Sequence, residues 1–206
     1  MNIYSVYRLL QPRFRARRMR HLTENTTIWD VGGVFYGWDG FPVSPRITIL
    51  NVDDVASGWE MQNYFTYVIG DGRQLNYADG SFDLVYSNSV IEHVWSYEDQ
   101  QRFATEIRRV GRQVYVQTPN KYFPIEPHFI AIGVHLLPRQ WQPFLIRRLS
   151  LRGWLRKNDN IGIENLIREL RLLSFREMEA LLPDCGIVRE PLLGFNKSFT
   201  AVRVAS

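Results

Sequence analysis

The sequence contains very little cysteine, since Cys185 is the only one among its 206 residues. A single cysteine excludes an internal disulfide and a site with several cysteine ligands, and we expect no bound metal. Long apolar runs are also absent: the longest, residues 129–137, contains His135 and falls short of the ~18 residues of a membrane span. Arg8 and Arg13 interrupt the N-terminus where a secretory signal would be apolar. These absences predict a soluble cytoplasmic protein.

The length suits one domain, residues 1–206, with a sizeable core. The net charge of +4 is unevenly placed, because one basic run precedes Glu24 and a second lies within residues 139–157. Such runs can contact nucleic acid, anionic lipid or an anionic substrate, or can simply be solvated helix faces. Residues 3–22 have the spacing of a basic amphipathic helix, interrupted by Pro12, which could cap a crevice or lie on a membrane surface.

Five β-rich runs each end in glycine or in polar residues. The runs are Ile28–Val31, Ile47–Leu50, Thr66–Ile69, Phe82–Tyr86 and Gln113–Gln117. In an open parallel sheet, ligands bind in the crevice beyond the carboxyl ends of the strands, so these endings predict a ligand site along one edge.

The sequence predicts a different structure for each segment between these runs. Glycines and prolines in residues 34–46 leave room for no more than a turn of helix, whereas residues 53–63 can form a short helix and residues 72–81 a polar loop. A helix is predicted to begin within residues 89–94. Capping boxes at Ser96 and Ser174 predict two more helices, and Gly111 ends the first of them.

The closing part of the chain predicts two antiparallel strands, residues 187–192 and 198–204, joined by a loop at 194–196. The fold class is therefore α/β: a Rossmann-like, seven-stranded, mostly parallel sheet with an antiparallel C-terminal pair. We expect helices on both faces and a lid insertion after the fifth strand.

The strand ends carry groups that suit a nucleoside. Backbone N–H groups of Gly32 and Gly33 can bind a carboxylate or a phosphate, Asn51 and Asp53 can bond ribose hydroxyls, and Asp71 can accept from an adenine amine. Neither G-x-G-x-x-G nor G-x-x-x-x-G-K-[ST] is present, so a nucleoside without a pyrophosphate fits better than NAD or ATP.

Three stretches together resemble the class I S-adenosylmethionine-dependent methyltransferases: Asp30-Val31-Gly32-Gly33, Gly70-Asp71 and residues 81–94. The resemblance runs from about Ile28 to Asn120 and implies S-adenosyl-L-methionine as cofactor. It implies that the methionine end is lined by Asp30, Gly32 and Gly33, that Asn51 or Asp53 binds the ribose, that Asp71 reads the adenine beside Gly72 and Arg73, and that Ser87 supports the cofactor through its backbone.

Residues 119–160 are rich in proline and aromatic residues and are predicted to form a long insertion over the strand ends, either a functional lid or a purely structural one. His128 and His93 are candidate bases for an acceptor that must lose a proton, and Glu126 could orient His128. Each histidine could instead be a structural residue.

The sequence divides into a basic helical cap (1–26), a cofactor-binding core (27–118), an acceptor or lid insertion (119–173) and a closing helix with strands (174–206). The predicted function is methyl transfer from S-adenosylmethionine to a small-molecule, lipid-linked or glycan-type acceptor, with possible peripheral membrane contact through the basic segments. The alternatives are a nucleic-acid methyltransferase, which is disfavoured because no base-pocket motif is present, an inactive methyltransferase-like scaffold, and a Rossmann oxidoreductase. The oligomeric state stays open.

Overall fold

A computed structural model describes residues 19, 22–38, 43–54, 56, 62–126, 131–150 and 160–204, without the side chains of residues 35, 36, 126 and 160. The predicted helices at 3–22 and 53–63 fall largely outside these residues. No helix among the described residues is both long enough and apolar enough to cross a membrane.

Seven strands form one sheet, and two very short strands form a separate hairpin. In chain order the strands are β1 (Thr27–Val31), β2 (Arg46–Asn51), β3 (Phe65–Ile69), β4 (Phe82–Asn88), β5 (Gly111–Pro119), β6 (Ile125–Glu126), β7 (Ala131–Ile132), β8 (Gly186–Leu192) and β9 (Phe195–Arg203). The sheet order is β3-β2-β1-β4-β5-β9-β8. Strands β1 to β5 pair in parallel, and β9 is antiparallel to both β5 and β8. This order confirms the predicted fold class.

Four α-helices accompany the strands among the described residues: α1 (Tyr97–Val110), α2 (Gln142–Leu149), α3 (Asn160–Glu169) and α4 (Phe175–Leu181). Helices α1 and α4 cover one face of the sheet, where Phe103 and Ile107 pack with Trp29, Val85 and Met178 in the larger core. Alternation along each strand sends the other side chains to the opposite face, because successive residues of a strand point to opposite sides.

The opposite face has a smaller core around Ile28, Ile49 and Tyr86. Trp38 covers part of it from a single 3-10 turn, Phe35–Trp38, which is the helical element that the described residues place between β1 and β2. The described part of residues 34–46 therefore contains no more than one turn of helix, as predicted.

Two sequence-based boundaries need correction. The segment at 89–94 forms a 3-10 turn, Ile91–His93, in place of the start of an α-helix. The hairpin loop predicted at 194–196 is instead a two-residue turn at Leu193 and Gly194, which both have positive φ (50° and 82°). A positive φ at both central positions gives the twist that matches antiparallel strands, so Phe195 and Asn196 already belong to β9.

The capping boxes differ in completeness. At Ser174 both halves form, because its hydroxyl accepts from Glu177 N–H and the Glu177 carboxylate accepts from Ser174 N–H. At Ser96 the hydroxyl accepts from Asp99 N–H at 3.0 Å, but no return bond to the backbone is present among the described contacts. Aspartate is one methylene shorter than glutamate, and Asp99 bonds the Ser96 hydroxyl and Arg73 instead.

The insertion at 119–173 has a small core of its own. Its described parts are the β6–β7 hairpin, a 3-10 turn at Val134–Leu136, α2 and α3. Ile146 of α2 and Ile163 of α3 are fully buried against Ala131 and Val134. The insertion is therefore a packed unit, partly helix and partly loop as predicted.

Candidate active site

A cleft lies at the carboxyl ends of β1, β2 and β3, as the strand endings predicted. Its lining includes Gly32, Asn51, Asp71, Arg73 and His93. It encloses about 190 Å³ and opens to solvent, so a larger ligand would extend beyond it. Residues from five separate segments of the sequence are thus brought to one place by the fold of the parallel sheet.

The glycine turn after β1 has no room for side chains. Gly32 has φ +74°, and a Cβ there would lie 2.5 Å from a Val90 methyl group. A Cβ on Gly33 would lie 1.9 Å from the Asp30 carboxylate. Asp30 itself is buried and accepts a bond from Trp38 Nε1 at 2.7 Å. This hydrogen bond joins β1 to the 3-10 turn. The role of Asp30 and Gly33 at the methionine end stays a prediction.

The second strand end is tied to the first by Asn51. Its side-chain amide donates to the Gly33 carbonyl at 3.0 Å while the residue lines the cleft. A carboxylate could not make this bond, because it has no proton to donate. Asp53 is exposed, and its carbonyl oxygen accepts from the Tyr67 hydroxyl at 2.6 Å. Of the two ribose candidates, the structure places Asn51 in the cleft lining.

The third strand end carries an ion pair inside the cleft. Asp71 accepts from Arg73 through both carboxylate oxygens, since Oδ2 accepts from Nη2 at 2.6 Å and Oδ1 accepts from Nε at 3.0 Å. Hydrogen bonding by the Arg73 side chain lowers the pKa of Asp71, so Asp71 is charged at neutral pH. Arg73 also reaches Asp99 at the start of α1, at 3.1 Å. Gly72 packs so closely on Phe103 that a Cβ would lie 2.6 Å from its ring.

The fourth strand end leads into the turn that carries His93. Ser87 is fully buried within β4, beside Val31 of β1 and Val116 of β5, and its predicted support of the cofactor through the backbone stays a prediction. His93 lines the cleft, and its neighbour Glu92 points the other way, where it is fully buried and accepts from the Thr118 hydroxyl at 2.9 Å. Glu92 therefore fixes the turn to the end of β5 and so positions His93.

Seven apolar side chains that line the cleft were not predicted as site residues: Val31, Leu50, Val52, Val90, Val94, Trp95 and Phe103. The one usable sequence signal for Trp95 is its position directly before the helix N-cap Ser96, and the structure shows that its side chain is 58% exposed. Together these residues give the cleft apolar walls, as small-molecule sites usually have.

Two of the predicted catalytic residues cannot be placed. His128 lies outside the described residues, and so does the side chain of Glu126, whose backbone forms part of β6. Both assignments stay predictions. Among the described residues, no group of three His, Cys, Asp or Glu side chains is close enough to hold a metal ion.

The donor set of the cleft fits S-adenosylmethionine. The Asn51 amide and the Asp71 carboxylate supply polar groups for hydroxyls and an amine, and the apolar walls suit a base. The described residues after Gly33 form a single 3-10 turn, whereas a pyrophosphate site uses the N-terminus of a longer helix.

Residues 48–113 match the family described as the methyltransferase domain. This match runs from within β2 to the start of β5, so it includes the ends of β2 and β3 that line the cleft but not β1 and Gly32. The strand order agrees with it. This match and the strand order support a class I S-adenosylmethionine-dependent methyltransferase. Such an enzyme is expected to use the strand-end cleft for its cofactor.

Solved structures share this fold. An S-adenosylmethionine-dependent methyltransferase of Methanosarcina mazei is 13% identical with a TM-score of 0.51, covering 90% of this chain and 95% of that one. A Haemonchus contortus phosphoethanolamine N-methyltransferase, in complex with S-adenosyl-L-methionine, is 13% identical with a TM-score of 0.56, covering 84% of this chain and 36% of that one.

A Rhodobacter sphaeroides protein, provisionally assigned to the zinc-dependent alcohol dehydrogenases, is also 13% identical, with a TM-score of 0.62. It covers 91% of this chain and 87% of that one. At this identity the likeness shows the fold alone, and related Rossmann-like folds serve many different reactions.

Proposed function

We propose that this methyltransferase transfers the methyl group of S-adenosylmethionine to a small-molecule, lipid-linked or glycan-type acceptor that enters beneath residues 119–173. The observation that carries the proposal is the shared cleft of Gly32, Asn51 and Asp71, with His93 in the same lining. Three strand ends that are far apart in the sequence offer one ligand several oriented polar groups, as nucleoside recognition requires.

Each residue of the cleft has a proposed part in binding. Gly32 lets the backbone approach the ligand, Asn51 accepts or donates at the ribose hydroxyls, and Asp71 accepts from the adenine amine. When bound, the cofactor supplies an electrophilic sulfonium methyl group. The protein then has to hold the acceptor atom about 3 Å away and in line, so that most of the catalysis is positioning.

A base is needed only when the acceptor must lose a proton. His93 is the candidate that lines the cleft, and His128, with Glu126 to orient it, is the candidate from the insertion. The pH dependence of turnover in His93→Gln and His128→Gln distinguishes them, because the variant that removes the base loses the acidic limb of the profile.

The surface of the insertion supports an acceptor with an apolar part. Trp141, Phe144 and Leu149 are 56%, 52% and 67% exposed, and Arg147 and Arg148 lie on the same helix α2. An exposed aromatic and basic helix of this type suits an anionic membrane surface or a lipid-linked molecule. The lipid-linked class is therefore the acceptor class that the described surface favours.

The proposed cofactor site is tested by tryptophan fluorescence during titration with S-adenosylhomocysteine. Trp95 and Trp141 are similarly exposed, at 58% and 56%, but only Trp95 lines the cleft. A base that binds beside Trp95 changes the surroundings of its ring. We expect a saturable change in the wild type that is reduced by at least half in Trp95→Phe and is retained in Trp141→Phe.

Two results would count against this site. Equal fluorescence changes in the two variants would mean that the ligand binds away from the cleft. The absence of any change in the wild type, together with no heat of binding, would favour the inactive scaffold.

A further inference from the structure

We propose that a second cavity, within the insertion, binds a phosphate group carried by the methyl acceptor. This inference rests on the proposed function. The cavity has a volume of about 350 Å³ and lies between the end of β5, the 3-10 turn at Val134–Leu136 and the end of α3. Its lining includes Lys121, His135, Arg139 and Gln142, and it contains no aspartate or glutamate.

The positive charge of this cavity comes from Lys121 and Arg139. No carboxylate among the described residues pairs with either side chain; the one contact given for the Lys121 ammonium is the Tyr122 ring, 5.8 Å away. Arg171 also borders the cavity, but its guanidinium is already bound to Gln100 and Glu177, at 2.6 and 2.5 Å. A concave surface with cations and no acid concentrates anions. Arginine and lysine together are a common set for phosphate.

Side-chain hydrogen bonds fix the backbone around the two cations. His135 Nε2 donates to the Lys121 carbonyl at 3.0 Å, since a carbonyl can only accept. Gln142 is buried and donates to the Leu137 carbonyl at 2.8 Å. These bonds fix the backbone on both sides of the cavity, so less freedom is lost when a ligand binds.

The base of the cavity is apolar. Ile167 and Leu170 line it from α3 and its end, and each is only 8% exposed. Inorganic phosphate has no carbon atoms and gains no free energy from an apolar surface, whereas a phosphate ester would bury its carbon atoms there. The combination therefore fits an organic phosphate better than a free ion.

A backbone hydrogen bond links the lining of the cavity to the turn that carries His93. The Arg171 N–H donates to the Glu92 carbonyl at 2.7 Å, and Lys121 N–H donates to the Leu173 carbonyl at 3.0 Å. Glu92 is the residue before His93, which lines the cleft. An acceptor whose phosphate occupies the cavity could thus present another atom near His93.

The test uses the full chain and three probes: inorganic phosphate, glycerol 3-phosphate, and vesicles of phosphatidylcholine with one-fifth phosphatidic acid. Binding of the soluble probes is measured by calorimetry against sodium chloride of equal ionic strength, and vesicle binding by co-sedimentation. The double variant Lys121→Gln/Arg139→Gln removes both cations. Arg112→Gln is the matched control, because Arg112 is exposed at the opposite end of β5.

We expect glycerol 3-phosphate to bind more tightly than inorganic phosphate and its affinity to fall at least tenfold in the double variant, with no change in Arg112→Gln. Retention on the acidic vesicles that is lost in the same double variant would identify a lipid phosphate as the source. Binding of the soluble ester without vesicle retention would identify a soluble phosphate.

Either of two outcomes overturns the inference: no phosphate probe binds, or the double variant binds as the wild type does. Titration with S-adenosylhomocysteine separates this failure from that of the proposed function. If S-adenosylhomocysteine binds to a chain that binds none of the phosphate probes, the proposed phosphate site is wrong and the proposed methyltransferase function stands.

Discussion

Asn51 illustrates how one side chain serves both the fold and the ligand. The resemblance to methyltransferases implies only that Asn51 or Asp53 binds the ribose. The structure shows what the amide adds, since it donates to the Gly33 carbonyl and joins two strand ends. This bond depends on the positions of two chain segments 18 residues apart, which a sequence pattern does not contain.

We predict that Asn51→Asp destabilises the protein at neutral pH. The carboxylate would face the Gly33 carbonyl, so that an attractive contact becomes a repulsive one and about 1–2 kcal/mol of unfolding free energy is lost. Urea unfolding at pH 7 measures this loss. Asn63→Asp is the control, because Asn63 is exposed in a turn and has no such carbonyl contact among the described bonds.

Acid should reverse the effect. Protonation of the new carboxyl group restores a donor, so the difference between variant and wild type should shrink as the pH falls through the pKa of that group. A loss in Asn63→Asp as large as that in Asn51→Asp would contradict the explanation.

At the scale of the elements, α1 and β5 join without a loop. Gly111 is both the residue after α1 and the first residue of β5, with an extended backbone (φ −91°, ψ 137°). The sequence predicted a helix-ending glycine, and such a glycine is often left-handed. Glycine is needed at this position because there is no room for a side chain: a Cβ would lie 2.7 Å from both the Gln113 carbonyl oxygen and a Val85 methyl group.

We predict that Gly111→Ala lowers the unfolding free energy by about 1–3 kcal/mol, since an added methyl group must displace backbone as well as a core side chain. Gly186→Ala at the start of β8 is the matched control, because the nearest atom to its Cβ would be 3.9 Å away. The control should stay within about 0.5 kcal/mol of the wild type. Equal stability of the two variants in urea unfolding would show that the close contact at Gly111 relaxes freely.

Elements with a strong local signal were the ones that the sequence predicted well. The five parallel strands have apolar runs that end abruptly, and the complete capping box at Ser174 marks α4. The turn at Leu193 and Gly194 was misplaced because a leucine with positive φ is unusual and gives no turn signal. The 3-10 turn at Ile91–His93 was mistaken for the start of an α-helix, since its length is set by Glu92 reaching Thr118, a tertiary contact.

At the scale of the whole molecule, the parallel sheet explains why the site could be predicted at all. Parallel strands place all their carboxyl ends on one edge of the sheet. Because β1, β2 and β3 are neighbours in this sheet, Gly32, Asn51 and Asp71 lie close together at that edge. The acceptor side follows no such rule. The cavity beside Lys121 and Arg139 depends on how the insertion packs around its own small core, which no local pattern determines.

Calorimetric titration with S-adenosylhomocysteine tests the central claim most directly. We predict one binding site per chain in the wild type and affinity lower by ~1–3 kcal/mol in Asp71→Ala, which loses a charged acceptor in the cleft. Asp79→Ala is the control, because Asp79 is 81% exposed and bonds Arg109 away from the cleft. Its affinity should match that of the wild type. A wild-type chain that does not bind, or an Asp71→Ala variant that remains folded and binds as tightly as the control, would contradict the account.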